Sequence, residues 1–122
     1  MKIDWETIPE MGGSLTGATR KAVCATQMSA VLVEVAPGAD FQSKMHWHDN
    51  DQMLVMMSGT CRMEISGKQF DVHPGDLVFF PPGSRHRAVA VGPEGCAYYE
   101  FFAPARPDQL PGWVGESVLR FD

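Results

Sequence analysis

Short apolar or alternating runs separated by turn residues recur along the chain, and helical periodicity is almost absent. An alternation of apolar and polar residues with a period of two is typical of half-buried β-strands. The pattern predicts strands over residues 19–26, 30–36, 52–57, 60–65, 69–73, 77–80, 85–91 and 96–102. Many short strands at this spacing indicate an all-β sandwich or barrel.

Gly and Pro residues supply the turns between these runs, since the chain has 12 Gly and 9 Pro. Ser58-Gly59 separates two predicted strands so closely that we expect a hairpin there. With 122 residues, the chain has room for a single domain. We expect residues 1–18 to form an arm that packs on the barrel or on a partner, residues 19–104 to form the barrel, and residues 105–122 to form a tail over it.

Charge and cysteine usage narrow the functional class. The 15 acidic and 10 basic residues give a net charge of −5 without a basic stripe, so we expect no nucleic acid and no membrane surface as partner. No run approaches the ~20 apolar residues of a membrane span, and the first residues lack the apolar region of a signal peptide. Cys24, Cys61 and Cys96 form no close pair, which is typical of reduced thiols in a cytoplasmic protein.

Three histidines and one glutamine have the spacing of a metal site. His46 and His48 are separated by one residue, and side chains at positions i and i+2 of a strand point to the same face. Gln52 follows a short polar loop, and His86 follows a Pro-Pro-Gly turn. If an antiparallel strand brings His86 opposite His46 and His48, three imidazole nitrogens and one amide oxygen could surround one ion. Taken singly, each of these residues is more often a surface, turn or core residue.

The joint spacing resembles the two sequence motifs of the cupins. The positions that match the first motif are Gly38, His46, His48, Gln52 and Gly59. The positions that match the second motif are Gly75, Pro81, Gly83 and His86. The chain departs from the family pattern in a longer segment after Gly38, in Gln52 where Glu is usual, and in Ala90 where Asn is usual. The resemblance implies a jelly-roll β-barrel with a metal ion in its mouth, often in a homodimer.

Gln52 brings no charge to the implied metal site, whereas a Glu would bring one negative charge. A divalent ion held by three neutral imidazoles and an amide would keep its full charge, which makes it a stronger Lewis acid toward an anionic or carbonyl substrate. Because an amide oxygen is a weaker donor than a carboxylate, Gln52 is either a loose ligand or a group that orients the substrate. The implied cofactor is one divalent transition metal ion, and imidazole suits Fe, Ni, Zn, Mn and Cu.

Side chains on the predicted strands are candidates for the surroundings of the metal. The candidates for substrate contact are Tyr98, Phe102, Met56 and Leu54. If Glu100 faces the barrel, desolvation would favour its protonated form and suit it to general acid–base catalysis, whereas an outward Glu100 would be an ordinary solvated carboxylate. Arg106 lies between prolines and could clamp a substrate carboxylate through two hydrogen bonds, or it could pair with Asp108 at the surface.

The segment Phe-Phe-Ala-Pro-Ala-Arg-Pro-Asp at residues 101–108 is similar to the end of the pectin-degradation cupins, which convert 4,5-unsaturated uronates to the linear keto form. This resemblance implies that Glu100 is the catalytic acid, that Phe102 is an aromatic residue of the pocket and that Arg106 binds the carboxylate. It also implies three His and one Gln on the metal. The chain departs from those proteins in Glu100, where they have Asp, and in a His48-to-Gln52 spacing that is one residue shorter.

Three functions are compatible with these expectations, and each has a small molecule as partner. The first is a metal-dependent isomerase or lyase of a small carboxylated, sugar-like substrate, with Glu100 and Arg106 as its catalytic residues. The second is a non-haem iron dioxygenase with three His ligands. The third is a ligand-binding or sensor cupin without turnover, which is less favoured because the sequence has no attached DNA-binding segment. The first function accounts best for Gln52, Glu100 and Arg106.

Overall fold

Six β-strands form the framework of the described fold, and the helices in it are two short 3₁₀ turns at Trp5–Thr7 and Pro107–Gln109. This structure, a computed structural model, describes residues 1–11 and 17–122. The strands are β1 (Ala18–Cys24), β2 (Ser29–Val35), β3 (Asp51–Ile65), β4 (Lys68–Val72), β5 (Leu77–Phe80) and β6 (His86–Ala103). The predicted all-β class is confirmed.

Strands β3 and β6 are longer than the sequence predicts. The predicted hairpin at Ser58-Gly59 is wrong, because β3 runs through it as one antiparallel partner of β6 with register shifts on either side of Gly59. The predicted strands 85–91 and 96–102 likewise join into β6 across Gly92 and Gly95. A glycine inside a strand often marks a bulge or a close approach of two backbones instead of a turn.

All strand pairs in the described sheet are antiparallel, and their order is β1-β2-β6-β3-β4, with β5 also paired to β3. The register aligns residues of neighbouring strands in rows across the sheet, and residues in one row share a face. Three rows concern the site, namely Gln52-Phe102-Ser29-Cys24, Leu54-Glu100-Val31-Ala22 and Met56-Tyr98-Val33-Arg20.

The inner face of the sheet packs into one hydrophobic core. Val31, Val33 and Leu54 are shielded from solvent completely, and the core extends to Phe80 of β5. The polar side chains in the three rows share this inner face, so they must find partners inside the barrel.

Both ends of the chain pack on the sheet. The Trp5 ring lies 6.0 Å from the Tyr99 ring, and Lys21 Nζ donates a hydrogen bond of 2.8 Å to the Trp5 carbonyl. Near the other end, Trp47 and Arg120 form an antiparallel bridge and exchange two backbone hydrogen bonds of 2.9 Å. The tail therefore reaches the segment that carries the His-x-His pair.

Candidate metal centre and cavity

His46 and His86 face each other across an isolated antiparallel bridge. Their backbones exchange hydrogen bonds of 3.0 and 2.9 Å, and their ring centroids are 4.4 Å apart. The Gly83 N–H donates a hydrogen bond of 2.9 Å to the His48 carbonyl, which ties the turn before β6 to the same segment. The His48 ring consequently lies 5.2 Å from the His86 ring. The structure thus brings together the three histidines that the sequence spacing selects.

Backbone carbonyls fix the protonation of the three imidazoles. Each Nδ1 lies within hydrogen-bond distance of a carbonyl two residues away. These carbonyls belong to Lys44 for His46 at 2.7 Å, Asn50 for His48 at 3.2 Å and Ser84 for His86 at 2.9 Å. Since a carbonyl can only accept, Nδ1 carries the proton in each ring and Nε2 presents a lone pair.

Burial keeps the three imidazoles neutral. Desolvation lowers the pKa of His46 and of His48, and it lowers the pKa of His86 to about 4, with the charges of the neighbouring histidines acting in the same direction on His86. Neutral imidazole is the form that binds a metal ion. The three side chains are therefore ready to act as ligands at neutral pH without losing a proton.

Gln52 and Glu100 extend the cluster, because Gln52 contacts both His48 and Glu100. Gln52 opens the strand next to His48 and aligns with Phe102, whereas Glu100 lies one row further in. Gln52 Oε1 lies 2.9 Å from His48 Nε2, and Gln52 Nε2 donates a hydrogen bond of 2.5 Å to Glu100 Oε2. Of the two orientations open to Glu100, the structure shows the inward one.

Burial is the main influence on the Glu100 carboxyl group. Desolvation raises the pKa of Glu100, and the charges of Arg20 and Arg106 and the hydrogen bond from Gln52 only partly oppose it. The protonated form is therefore closer to neutral pH than in a solvated glutamate.

Three polar atoms of the cluster lack a satisfactory partner and fit a bound cation. His86 Nε2 is buried and has no hydrogen-bond partner. If His48 donates from Nδ1, then its Nε2 and Gln52 Oε1 both present lone pairs toward each other over 2.9 Å, which is unfavourable unless a proton or a cation lies between them. Three imidazoles and an amide oxygen are ligands that divalent transition metals accept. The donor chemistry of the cluster therefore fits such an ion.

The side chains are not yet arranged as a coordination site. Within residues 1–11 and 17–122, no three His, Cys, Asp or Glu side chains already form a group that could hold a metal ion. Binding would require the imidazoles to turn toward a common point, with His48 Nε2 and Gln52 Oε1 sharing the ion. The assignment of His46, His48, His86 and Gln52 as ligands stays a prediction.

A cavity of about 660 Å³ opens beside the cluster. Its lining includes His46, Gln52, His86, Glu100 and Arg106, together with the predicted substrate-contact residues Tyr98 and Phe102. The other two predicted contacts, Leu54 and Met56, are not among the described lining residues. They are 0% and 1% exposed in the hydrophobic core, where neighbouring inner-face side chains cover them. Phe80 and Met63 supply apolar wall instead.

Arg106 lies in the cavity wall with its charge already paired. Its Nε and Nη2 donate hydrogen bonds of 3.3 and 3.0 Å to the two carboxylate oxygens of Asp108, and its guanidinium lies 4.8 Å above the Phe102 ring. Its backbone N–H donates to Ser29 Oγ at 3.0 Å. The structure shows the Arg106–Asp108 pair, but the pair is not at the surface, since Arg106 is 5% exposed. The role of Arg106 toward a substrate carboxylate stays a prediction.

The cavity also contains basic residues that sequence reasoning missed. Arg20, Lys44 and Arg87 line it, and Arg87 Nη2 donates a hydrogen bond of 3.1 Å to the buried Glu64. Arg20 points inward because it ends the row that contains Val33 and Tyr98. The alternation of Arg20 with the small apolar Ala22 along β1 is the only sequence signal for this orientation, and it is weak.

Comparison with known proteins establishes the family. The Cupin domain family matches residues 31–102, which is more than half of the chain. The chain therefore belongs to the cupin family, and its all-β fold is the cupin jelly-roll barrel.

Two solved structures resemble the chain over most of their own length. KdgF from Halomonas sp. matches with a TM-score of 0.72 and 27% sequence identity, over 86% of this chain and 95% of that chain. An RmlC-like cupin from Shewanella frigidimarina matches with a TM-score of 0.71 and 26% identity, over 84% of this chain and 89% of that chain. The resemblance thus extends to small cupins of similar size.

The curated relatives are longer proteins. Oxalate decarboxylase OxdC from Bacillus subtilis is 29% identical over 118 residues, which cover 88% of this chain and 30% of that protein. The uncharacterized HTH-type transcriptional regulator YdeC, from the same organism, is 32% identical over 54 residues, which cover 44% of this chain and 19% of that protein. The chain therefore spans less than a third of each relative. None of the helices in the described residues is long and apolar enough to cross a membrane.

Proposed function

We propose that this cupin is a metal-dependent isomerase or lyase that acts on a small carboxylated, sugar-like substrate. The observation that carries the proposal is the position of Gln52 between His48 and Glu100, with its Oε1 2.9 Å from His48 Nε2 and its Nε2 donating a hydrogen bond to Glu100. Gln52 thus connects a candidate metal ligand to an inward carboxyl group on the wall of one cavity. Such an arrangement can bind a substrate oxygen and move a proton at the adjacent carbon.

One divalent transition metal ion would be held by His46, His48 and His86, with Gln52 as a neutral oxygen donor. When bound, it would supply Lewis-acid polarisation of a substrate hydroxyl or carbonyl oxygen. Fe, Ni, Zn, Mn and Cu all suit imidazole ligands. Mn is the first to test, because oxalate decarboxylase from Bacillus subtilis has Mn(II) centres.

Glu100 is the residue in the cavity best placed to transfer a proton. It accepts a hydrogen bond from Gln52, which holds one carboxyl oxygen toward the cluster and leaves the other available. The apolar residues Phe80 and Phe102, on the same wall, limit the access of water. A carboxyl group held in this way can remove a proton from one substrate atom and return it to another, as isomerisation and elimination require.

A carboxylated substrate fits the charge of the cavity. Among the described lining residues there are four basic side chains and three acidic ones, which are Arg20, Lys44, Arg87 and Arg106 against Asp40, Glu100 and Asp108. A bound divalent ion would add positive charge. Because Glu64 and Asp108 compensate Arg87 and Arg106, the preference for an anion would come from this ion together with Arg20, although the chain as a whole has a net charge of −5. The relative OxdC is named for a reaction of a small carboxylate, oxalate.

The test is turnover of a 4,5-unsaturated uronate, followed as loss of its conjugated ultraviolet absorbance. We expect metal-loaded protein to accelerate this loss, and we expect protein stripped with chelator, or carrying Glu100→Gln, to lose most of that acceleration. Glu34→Gln serves as the matched control, since Glu34 is an exposed residue of β2. A rate no greater than spontaneous decay, with each of the five metals loaded in turn, would exclude this function. Oxygen uptake by the iron-loaded protein with a thiol or phenolic substrate would instead identify a dioxygenase.

A ligand-binding or sensor role is the second candidate, and the match to the HTH-type regulator YdeC favours it. A sensor needs the cavity and the charged residues that recognise its ligand, but it has no need of Glu100 as a proton carrier. If the chain binds a carboxylated sugar without converting it, and Glu100→Gln binds the sugar equally well, the sensor role replaces the enzyme.

We also propose that the protein is a cytoplasmic homodimer that pairs through the outer face of its sheet. Met53, Leu77 and Phe79 are exposed there, and the register places Met53 beside Phe79. Apolar residues clustered on one exposed face are typical of interaction surfaces. The three cysteines are free thiols, in agreement with a reducing compartment.

A further inference from the structure

Arg20 points into the cavity from the far end of a row of inner-face residues. The register aligns Arg20 with Val33, Val33 with Tyr98, and Tyr98 with Met56. Glu100 lies one row nearer the histidine cluster on the same face. The register therefore places Glu100 in the row between that of Gln52 and that of Arg20, and all three side chains line the cavity.

The side chain of Arg20 lacks partners that its position requires. Its Nε is buried and has no hydrogen-bond partner, and within the described part of the chain no carboxylate forms a salt bridge with its guanidinium. An unsatisfied donor on a buried cation costs free energy, so its retention inside a cavity points to a ligand that completes it.

The other arginines of the cavity wall, half-buried Arg87 and buried Arg106, differ in this respect. The Arg106 guanidinium donates to both oxygens of Asp108. Arg87 Nη2 forms a salt bridge of 3.1 Å with Glu64, although its Nε is also without a partner. Both charges are thus compensated by protein carboxylates. Arg20 is the arginine of the described cavity wall whose guanidinium forms no salt bridge with a protein carboxylate, although its charge reaches Glu100 and lowers the pKa of that group.

We propose that Arg20 binds the carboxylate of the substrate, and that Arg106 holds Phe102 and the tail in place. This inference rests on the proposed function, because it takes the substrate to be a small carboxylated molecule. A guanidinium presents parallel N–H groups that match a carboxylate in a two-point hydrogen bond, and such a bond would use the free Arg20 Nε. Arg20 would then hold the carboxylate at one end of the substrate, and the metal ligands would lie at its other end. Together they would place the substrate beside Glu100.

The test measures binding apart from turnover. Titration calorimetry of zinc-loaded protein would compare D-galacturonate, which has a carboxylate, with D-galactose, which lacks it, and would include oxalate as a carboxylate without a sugar. We expect tighter binding of galacturonate than of galactose. Arg20→Met should weaken galacturonate and oxalate binding by about 10- to 100-fold, since a hydrogen bond to a charged group is lost, and should leave galactose binding unchanged.

Two further variants control for charge and for folding. Arg62→Met removes a surface arginine paired with Asp71, and we expect it to bind all three probes as the parent protein does. Arg20→Lys keeps the positive charge but lacks the parallel N–H groups of a guanidinium. We therefore expect it to bind galacturonate more tightly than Arg20→Met and less tightly than the parent protein. Unchanged galacturonate and oxalate binding by folded Arg20→Met would overturn the inference, and so would failure of the parent protein to bind either anion.

Kinetics separate this inference from the proposed function. If the parent protein converts the unsaturated uronate, Arg20→Met should raise KM by about tenfold or more, because it removes a contact with the substrate carboxylate. It should also lower kcat, because this carboxylate is conjugated with the double bond that reacts. An unchanged KM would overturn the role of Arg20 and leave the proposed function standing. Arg20-dependent binding of galacturonate and oxalate without any turnover would uphold Arg20 and reject the isomerase or lyase.

Discussion

At the scale of single residues, the orientation of the Gln52 amide is set by its two neighbours. Glu100 offers a carboxylate oxygen as acceptor, so the amide nitrogen of Gln52 must face it, and the hydrogen bond is 2.5 Å long. The amide oxygen then faces His48 at 2.9 Å. Glu100 thus does more than line the cavity, because it also turns the neutral oxygen donor toward the imidazoles.

Replacing the amide by a carboxylate tests this arrangement. Gln52→Glu would bring a negative charge to the ion and could no longer donate a hydrogen bond to Glu100. We expect the variant to hold its metal more tightly against a chelator and to turn over substrate about tenfold more slowly. Metal competition and steady-state kinetics measure the two effects. Gln27→Glu, at an exposed turn position, should change neither. Weaker metal retention by Gln52→Glu would contradict a ligand role for Gln52.

The buried Arg106–Asp108 pair makes a prediction about stability. Burial alone would raise the pKa of Asp108, but the hydrogen bonds and charge of Arg106 outweigh it, so the pKa is lowered on folding. A group with a lowered pKa contributes stability that is complete above its unfolded pKa of about 3.9 and is lost as the pH falls through the folded pKa. We expect Asp108→Asn to lower the free energy of unfolding by about 3 kcal/mol at pH 7, because it leaves Arg106 buried without its counter-charge.

Urea unfolding at pH 7 and at acid pH measures this contribution. The penalty of Asp108→Asn should begin to shrink below about pH 4, where Asp108 of the unfolded chain takes up a proton, and should disappear only as the pH falls through the lower pKa of the folded protein. Asp71→Asn is the matched control, because Asp71 pairs with Arg62 at 3.0 Å in an exposed salt bridge, and we expect a change of only about 0.5 kcal/mol. Equal penalties for the two variants would show that the buried pair contributes no more than a surface pair.

Site residues that are close together in the sequence can be predicted from it. Residues whose role depends on burial in the folded protein cannot. His46 and His48 share a strand face at any register, so their proximity could be predicted. His86 required the two-motif pattern, because only the chain return places it opposite His46. Arg20 could not be selected, since an arginine on a weak strand becomes significant only when the fold buries its Nε in a cavity without a partner.

At the scale of elements, the chain makes turns at fewer glycines than the sequence pattern of turn residues predicts. Gly59 and Gly67 both have positive φ, at 68° and 83°, but only Gly67 lies in a turn, between β3 and β4. At Gly59 a Cβ atom would collide with the backbone of Gly95 and with Cys96 Cα, which lies at 2.8 Å. A Ser-Gly pair in a sequence does not distinguish a turn from a close approach of two strands, because the second depends on a partner far along the chain.

Substitutions of Gly67 and Gly59 separate the effect of a positive φ from the effect of a close approach between β3 and β6. We expect Gly67→Ala to lower the free energy of unfolding by about 1 kcal/mol. This loss comes from the positive φ alone, because nothing lies within 4 Å of the place that an added Cβ would occupy. Gly59→Ala should cost at least about 2 kcal/mol more, since backbone atoms of β6 must move. Denaturant unfolding of both variants gives the difference. Equal costs would show that the close approach of β3 and β6 does not constrain position 59.

At the scale of the whole molecule, charge and apolar surface are distributed unequally. The chain has a net charge of −5, so two copies repel each other unless they meet through a neutral surface. The outer face of β3 and β5 provides one, because its exposed residues Met53, Leu77 and Phe79 are uncharged. On the same outer face, the Trp5 ring already covers Tyr99 at 6.0 Å. A symmetric dimer needs one patch that is complementary to itself, and an uncharged apolar patch meets that condition.

Charging the centre of this patch tests the predicted homodimer. Leu77 of β5 is 62% exposed, and its cross-strand partner is Val55 of β3, so Leu77→Glu should leave the monomer fold intact. In a two-fold dimer it places like charges in an interface from which water is excluded, so we expect a shift from dimer to monomer by light scattering after size exclusion. Val114→Glu, at a position that is 99% exposed in the tail, should leave the mass unchanged. A parent protein that is monomeric at micromolar concentration, or a Leu77→Glu variant that remains a dimer, would show that copies of the chain do not pair through this face.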